Sequence, residues 1–433
     1  MKNLWHISAP PSQPGGLLPS TVRTDVCIVG GGFTGCSAAY HLAARGVSVT
    51  LIEANILGHG CSGRNSGNLN PGLWLQPSQV EKALGPHFGQ RLNELLRPGP
   101  EYVQQLVKRH AIECQLNTSG TLHCAHSQSG LKELRQRLEG HLEQGYEAEL
   151  LDARETALRI GTDVFYGSLL NKSAAWIQPL AYLRGLAAAA VSAGAAIYEN
   201  CAAQSVVRKN NTWSTRTATG EVESDALLIA TNAYHSGMAF GSNARFAPLW
   251  YFNLATDPLD AHRFSSLLPN REGCWDTAPV MTSFTRDERG RLVLGSVGRL
   301  DGPGGRAHLA WARRRIGQLF PDLAGVPLTF SWNGSIAMTR DHLPHLVDLG
   351  PKALGIYGYN GRGIATGTLF GRVLADYALS GDADALPLPL SHAKPARIFN
   401  LQSAYYELGA TAYHMVSGWS RKVAPHTASR AFH

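Results

Sequence analysis

The sequence predicts an α/β chain, a Rossmann-like dinucleotide fold joined to an antiparallel-sheet α+β region, and three observations predict it. The stretch "DVCIVGGGFTGCSAAYHLAARGVSVTLIEA" (Asp25–Ala54) reads as strand, glycine turn, helix and strand. Near the other end, "LGIYGYNGRGIATGTLFGRVLADYAL" (Leu354–Leu379) again reads as strand, glycine loop and helix. Between them, Trp250–Thr256, Val280–Ser283 and Arg291–Val297 are short β-rich runs with turn signals between them, the pattern of an antiparallel sheet. At 433 residues the chain exceeds one ordinary core, so two domains, or one large and one interleaved, are expected.

In order along the chain, residues 1–22 are a Pro/Gly/Ser-rich arm. Asp25–Gly30 is predicted as a buried strand, Gly35–Arg45 as a helix and Val47–Glu53 as a second strand. A Gly/Asn/Ser loop covers Gly58–Gly72, and a helical pattern runs from Gln79 to Arg109. Gly120–Ser127 reads as a strand, Leu131–Gln144 as a charged helix and Leu180–Ala193 as an Ala-rich helix. Ala195–Glu199 and Ala226–Ala230 are strands, the second ending in "LLIATNAY". The tail from Ser391 is expected to be weakly structured, with "SAYYELGATAYHM" as a docked helix within it.

Composition excludes several classes of function. With 44% hydrophobic and 16% charged residues the chain is globular, and its net charge of +7 is scattered rather than gathered in a stripe, which argues against nucleic acid. No apolar run reaches the roughly 18 residues of a membrane span, and "MKNLWHISAPPSQPGG" lacks a signal-peptide core, so a cytoplasmic protein is expected. The seven cysteines are odd in number and lack CxxC pairing, which predicts reduced thiols rather than a disulfide framework or zinc site. The histidines lack metal-ligand spacing and there is no G-x-S-x-G elbow, so neither metal nor hydrolase chemistry is expected.

Gly30, Gly32 and Gly35 fit G-x-G-x-x-G between a strand and a helix. The first permits the tight turn, the second lets backbone approach a pyrophosphate, and the third lets the helix pack on the sheet, with free N–H groups facing the anion. Glu53 ends the next strand, where its carboxylate holds ribose hydroxyls and repels a 2′-phosphate. The ligand is then FAD or NAD. Three later features choose FAD. A second polar glycine loop, "GHGCSGRNSGNLNPG" (Gly58–Gly72), suits a ribityl chain and ring edge. Ala230 and Thr231 are small residues that pass beneath the adenosine half. The helix-start loop "GYNGRGIATG" (Gly358–Gly367) offers amides to a reduced ring.

With "VCIVGGGFTG", "GCSGRNSG", "AWIQPLAYLRGLAAAA", "LLIATNAY" and "GYNGRGIATGTLFGR" in view, the chain resembles the D-amino-acid oxidase / glycine oxidase / sarcosine oxidase family of FAD-dependent amine oxidoreductases from about Asp25 to Leu379. Through "GTLHCAHS", "GCWDT", "RDERGRLVLGSVGRLDG", "MTRDHLPHL" and "AYYELGATAYHM" it is most similar to bacterial L-pipecolate oxidases, and more distantly to γ-glutamylputrescine oxidases. The resemblance implies an FAD-binding domain interleaved with the substrate domain. The expected boundaries are 23–80, 150–235 and 330–385 for the former, 81–149 and 236–329 for the latter, and 386–433 for a C-terminal tail.

The resemblance also implies the site. Gly30, Gly32, Phe33 and Thr34 would meet the pyrophosphate and Glu53 the ribose. Ser62, Arg64, Asn65 and Ser66 would flank the ribityl and ring, Ala203 and Thr231 the adenosine, and Gly361, Arg362 and Gly363 the pyrimidine edge. Gly334 stands where sarcosine oxidases carry the flavin-linking cysteine, so FAD is expected to be noncovalent. Val293 matches the position of their oxygen-activating lysine, which leaves O2 or a quinone or carrier as acceptor, and Ile336 matches the carboxylate-binding arginine of glycine oxidases. Arg340, Arg362 or Arg64 is then needed to anchor an amino-acid carboxylate.

The expected mechanism is hydride transfer from the carbon beside a neutral amine nitrogen to flavin N5, leaving an imine. His342, Tyr359 and Arg340 are the candidate catalytic residues, and Tyr251, Trp332 and Arg362 the candidate substrate-binding ones. Two other classes fit less of the sequence: a nicotinamide dehydrogenase using the first βαβ unit alone, and a flavoprotein subunit that keeps its cofactor for structure.

Overall fold

The computed structural model describes residues 1–12, 16–234, 246–260, 265–392 and 399–417. The strand Thr21–Val29 lies inside the first sheet, parallel to Glu221–Ile229 on one side and Val49–Ile52 on the other. Ala196–Tyr198 extends the sheet beyond Val49–Ile52. Ala353–Tyr357, His345–Gly350 and Leu390–His392 extend it on the opposite side, and Ser205–Lys209 and Thr212–Arg216 form a hairpin on Glu221–Ile229.

The apolar runs Val26–Val29 and Val49–Ile52 are buried at every position, as parallel strands covered on both faces must be. The helices Phe33–Ala43, Pro179–Ser192 and Gly363–Ser380 share one core with this sheet. The central strand starts at Thr21, earlier than its apolar run suggests. Its first residues pair through backbone with Glu221–Ser224 while Thr21 and Arg23 stay exposed.

The second sheet runs Leu328–Met338, Ala247–Thr256, Leu292–Val297, Thr282–Arg286, Gly273–Asp276, Thr121–Cys124, Ser168–Asn171, Ala148–Leu151. All neighbours are antiparallel except Gly273–Asp276 with Thr121–Cys124. Three expected domain boundaries need correction. Residues 150–151, Ser168–Asn171 and residues 330–338 belong to this antiparallel sheet, although the expected boundaries place 150–235 and 330–385 in the FAD domain. Conversely, residues 81–109 of the helical stretch are expected in the substrate domain, yet Leu92, Val103 and Leu106 are buried in the core of the first sheet. Hydrophobic runs mark these elements as buried without saying which sheet receives them. That stretch is also two helices, Pro77–Leu96 and Gly99–Arg109, the first kinked at Gly85 (φ 75°) before Pro86, where an α-helical hydrogen bond is lost.

Both termini are more ordered than expected. The Pro/Gly/Ser-rich arm contains a helix, Leu4–Ser8, capped by Asn3 Oδ1 accepting from the Trp5 amide at 2.9 Å. Leu4 and Trp5 are fully buried. The Trp5 ring lies 6.1 Å from Trp176 and 5.4 Å from Trp332, and its Nε1 donates to the Asn65 carbonyl at 2.9 Å. Trp5→Ala is therefore expected to cost about 3–5 kcal/mol. A thermal melt should show the drop, and an unshifted midpoint would mean that the arm does not hold this core together. At the other end, Phe399–Val416 forms the docked helix, longer than the predicted segment; residues 418–433 of the expected tail lie outside the described residues.

Candidate functional site

A cavity of about 810 Å³ runs from the end of the central parallel strand to the antiparallel sheet. Its first part is built around the glycine turn. Gly30 has φ 108°, and a β-carbon there would lie 2.9 Å from the Ala230 carbonyl carbon and oxygen, so this turn admits glycine only. A β-carbon on Gly35 would lie 1.9 Å from the Gly30 oxygen, which is what lets the helix start so close to the strand. The helix Phe33–Ala43 begins at Gly32 with no side-chain cap, and Phe33 N donates only a long 3.3 Å bond to Ser62 Oγ. An uncapped helix start facing a cavity is a binding site for an anion.

Glu53 sits beside it. Its Oε2 accepts from Gly31 N at 2.7 Å and its Oε1 from Asn55 N at 3.0 Å, which fixes the carboxylate while leaving each oxygen a further lone pair. Burial pushes its pKa up, opposed by those two amides. Ala203 and Thr231 complete this end of the lining.

The middle of the cavity is shaped by the loop after Glu53. Asn65 Nδ2 donates to the Cys61 and Ser62 carbonyls, closing a tight turn. The Arg64 carbonyl accepts from Asn253 Nδ2 and Trp332 Nε1, both at 3.0 Å, and its Nη1 donates to the Asn333 carbonyl at 3.0 Å. The loop is thus bolted to the antiparallel sheet. Opposite it, Gly334 presents a bare backbone: a β-carbon there would come within 3.2 Å of Arg64 Cβ. Tyr359 closes the floor, its hydroxyl 2.7 Å from Thr34 Oγ1, and burial raises its pKa.

The far end is aromatic and holds the half-buried cation Arg362, with Arg137 also on the lining. The Arg362 guanidinium lies 4.3 Å over the Trp74 ring and 5.7 Å from that of Trp275. Its Nη1 reaches the Pro71 carbonyl at 3.4 Å, its Nε has no partner, and among the described residues no carboxylate pairs with it. Burial, then the neighbouring Arg137 charge, lowers its pKa to about 9. Arg137 itself is paired, to Glu133 at 3.0 Å. Tyr251 donates to Ser283 Oγ at 2.8 Å, and burial pushes its pKa up. His123, held neutral by burial, lies 5.1 Å from the Trp275 ring.

The whole glycine-turn architecture falls inside residues 25–377, which match the family described as FAD dependent oxidoreductase. The chain belongs to that family. It is 31% identical to the probable oxidoreductase OrdL of Rhizobium meliloti (strain 1021) over 87% of this chain and 88% of that protein. It is 29% identical to the γ-glutamylputrescine oxidoreductase of Escherichia coli (strain K12), over 93% and 97%. In fold it is similar to the glycine oxidase of Geobacillus kaustophilus (TM-score 0.68, 20% identity, 86% and 99% covered). It is also similar to the L-proline dehydrogenase of P. horikoshii (TM-score 0.67, 17% identity, 84% and 95% covered).

The cofactor of this FAD-dependent oxidoreductase fits the residues present. The uncapped helix start and the glycines suit a diphosphate, and Glu53 suits a ribose diol. Every residue expected to contact FAD lines the cavity, the ring-side loop included. No cysteine stands at Gly334, in keeping with noncovalent FAD.

Three other expectations need correction. Trp332 points away from the cavity, 2% exposed in the core behind Arg64, because its indole serves as a donor to that loop. Arg340 lies in the exposed turn after Leu328–Met338 and does not reach the lining. Val293 is a core residue rather than one facing the cavity, so it cannot stand in for a lysine over the ring; among the described residues the lining includes no lysine.

His342, held at φ 57°, Tyr251 and Arg362 do line the cavity. Trp74 and Trp275, which grip Arg362, escaped the sequence reading. The signal was a tryptophan just past each glycine-rich or strand motif, in "PGLWLQ" and "GCWDT", but lone aromatics on strands are usually core.

Proposed function

We propose that this oxidoreductase oxidises the C–N bond of a secondary amine or amino acid that carries a carboxylate, with L-pipecolate as the best-fitting substrate. The observation that carries this reading is Arg362: a half-buried guanidinium with no acid partner, clamped by two tryptophans on the cavity lining. A partly desolvated cation without an acid partner attracts a carboxylate. The faces of Trp74 and Trp275, with Leu249 and Tyr251, offer an apolar wall to a saturated ring.

FAD, when bound, supplies the two-electron acceptor for the carbon beside nitrogen. The chain's share is orientation: Arg362 holds the carboxylate, and Tyr251 and Tyr359, kept neutral by burial, act as fixed hydrogen-bond partners rather than bases. We assign release of the amine proton to His342, which lines the cavity. The 29% identity with γ-glutamylputrescine oxidoreductase over 97% of that protein favours a second reading, γ-glutamylputrescine as the amine.

Anaerobic mixing with pipecolate, proline, sarcosine and γ-glutamylputrescine tests both readings. Pipecolate should bleach the yellow holoenzyme fastest. If dithionite bleaches it and none of the four amines does, the substrate class is wrong. Peroxide yield set against dye reduction in air then tells O2 from a quinone or carrier as acceptor.

A pH dependence follows from Arg362. Cyclohexanecarboxylate, which has no amine to titrate, should perturb the flavin spectrum with full affinity below pH 9. Affinity should weaken as the pH rises through about 9, where the free enzyme's guanidinium loses its proton. Affinity flat from pH 7 to 11 would place the carboxylate elsewhere.

A further inference from the structure

Three tryptophans from distant parts of the chain meet behind the ring-side loop. The Trp5 ring lies 6.1 Å from Trp176 and 5.4 Å from Trp332, and all three are buried. Each indole donates to a backbone carbonyl of that loop, and the three carbonyls are consecutive. Trp332 Nε1 donates to Arg64 at 3.0 Å, Trp5 Nε1 to Asn65 at 2.9 Å and Trp176 Nε1 to Ser66 at 2.8 Å. Asn3 Nδ2 adds a fourth bond, to the Gly63 carbonyl at 2.9 Å. A buried indole needs an acceptor for its N–H, and this loop supplies one to each.

The carbonyls drawn into the core decide where the other edge of the loop points. Across a trans peptide, the carbonyl of one residue and the N–H of the next point in opposite directions. Holding the Asn65 carbonyl against Trp5 therefore turns the Ser66 N–H away from the core, and Ser66 lines the cavity. The neighbouring amides are occupied within the loop. Gly63 N donates to the Gly60 carbonyl at 3.2 Å, Arg64 N and Asn65 N to that of Cys61 at 3.1 Å, and Gly67 N to Asn65 Oδ1 at 2.9 Å. Among the described residues Ser66 N has no such partner. A backbone donor left over at a cavity wall is available to a ligand. The loop runs from Ser62, whose Oγ faces Gly32 at the phosphate end, to Trp74 at the aromatic end. Ser66 stands between them, along the stretch left for the flavin ring.

We propose that Trp5 is a positioning residue for the flavin: from the N-terminal arm it holds the Asn65 carbonyl and so aims the Ser66 amide at the ring. The arm is itself pinned on both sides of Trp5. Gln178 Nε2 donates to the Trp5 carbonyl at 3.1 Å, and Ser331 N donates to the Lys2 carbonyl at 3.0 Å. The donor is thus set in place by the protein alone, and it meets the negative charge that grows on the ring as the ring accepts electrons. Trp176 does not share this role. The Ser66 carbonyl that it holds lies opposite Gly67 N, which Asn65 Oδ1 already fixes. The inference rests on the FAD of the family and not on the identity of the substrate or the role of Arg362.

Trp5→Phe tests it, with Trp176→Phe as the matched control. Each variant keeps a buried aromatic ring and loses one indole N–H, so both should lower the melting temperature by similar amounts. In Trp5→Phe alone, the midpoint potential of the bound flavin, read by equilibration with redox dyes, should become more negative. Its FAD dissociation constant, titrated on the deflavinated full-length chain, should rise by about three- to tenfold, the worth of one hydrogen bond. A Trp5→Phe potential equal to that of the parent, or the same shift in Trp176→Phe, overturns the proposal. If Trp5→Phe does not fold, the parent protein decides. Adding FAD to the deflavinated chain should then slow hydrogen exchange at the Ser66 amide. Exchange there that is equally fast with and without FAD overturns the proposal.

Discussion

Gly35→Ala should yield protein that is colourless or largely unfolded. The added β-carbon would lie 1.9 Å from the Gly30 carbonyl oxygen and 3.1 Å from its carbon, and both are backbone atoms that cannot rotate away. Relief requires the helix Phe33–Ala43 to slide off the central strand. That helix is buried over ten of its eleven residues and is packed against two others. The cost is about 3 kcal/mol or more, and the displacement also moves the amides that meet the diphosphate. Gly317→Ala is the matched control. It places a methyl group on an ordinary helix, 3.5 Å from Ala324 Cβ, and should be neutral or stabilising by up to about 1 kcal/mol. The ratio of flavin to protein absorbance and a thermal melt read both variants. A fully yellow Gly35→Ala protein melting with the parent would show that the close helix–strand approach is not what shapes the FAD site.

Arg362→Met should separate function from stability. In the parent, a half-buried cation sits between Trp74 and Trp275 without a counter-charge, at a cost to folding that its lowered pKa reflects. Methionine fills much of the same space and keeps contact with the rings. The variant is therefore expected to melt at the same temperature as the parent or higher, and to keep its FAD. With a carboxylate-bearing amine, loss of a desolvated ion pair costs about 2–5 kcal/mol, so kcat/KM should fall by roughly 30-fold to several thousand-fold. The methyl ester of the same amine offers no carboxylate, and with it parent and variant should differ little. A variant that loses equally on acid and ester would mean that Arg362 acts on the cofactor or on the cavity's shape rather than on the carboxylate.

Much of this was legible in the chain before folding. The turn at Gly30–Gly35 is governed by atoms a few residues apart: a positive φ, a carbonyl 1.9 Å from a missing methyl and an uncapped helix start. Local sterics of that kind are written in the order of residues, so the glycines, Glu53 and the ring-side loop are found from spacing alone. Alternating and continuous apolar runs likewise revealed most elements to within a few residues.

The fold decided what depends on distant partners. Whether Ala148–Leu151 joins the parallel or the antiparallel sheet depends on which edge receives it, and its four residues carry no mark of that choice. Trp332 and Trp275 read alike as aromatics on strands, yet one turns inward to donate to Arg64 and the other outward to cover Arg362. Arg340 and Arg362 are both arginines beside a turn, and only packing from Trp74, 288 positions before Arg362 along the chain, strips one of water and leaves the other in it. The sequence by itself determined the cofactor, because a dinucleotide is held by backbone geometry that glycine spacing dictates. The tertiary structure alone determined the substrate end, because desolvation of a side chain is set by neighbours that chain order does not name.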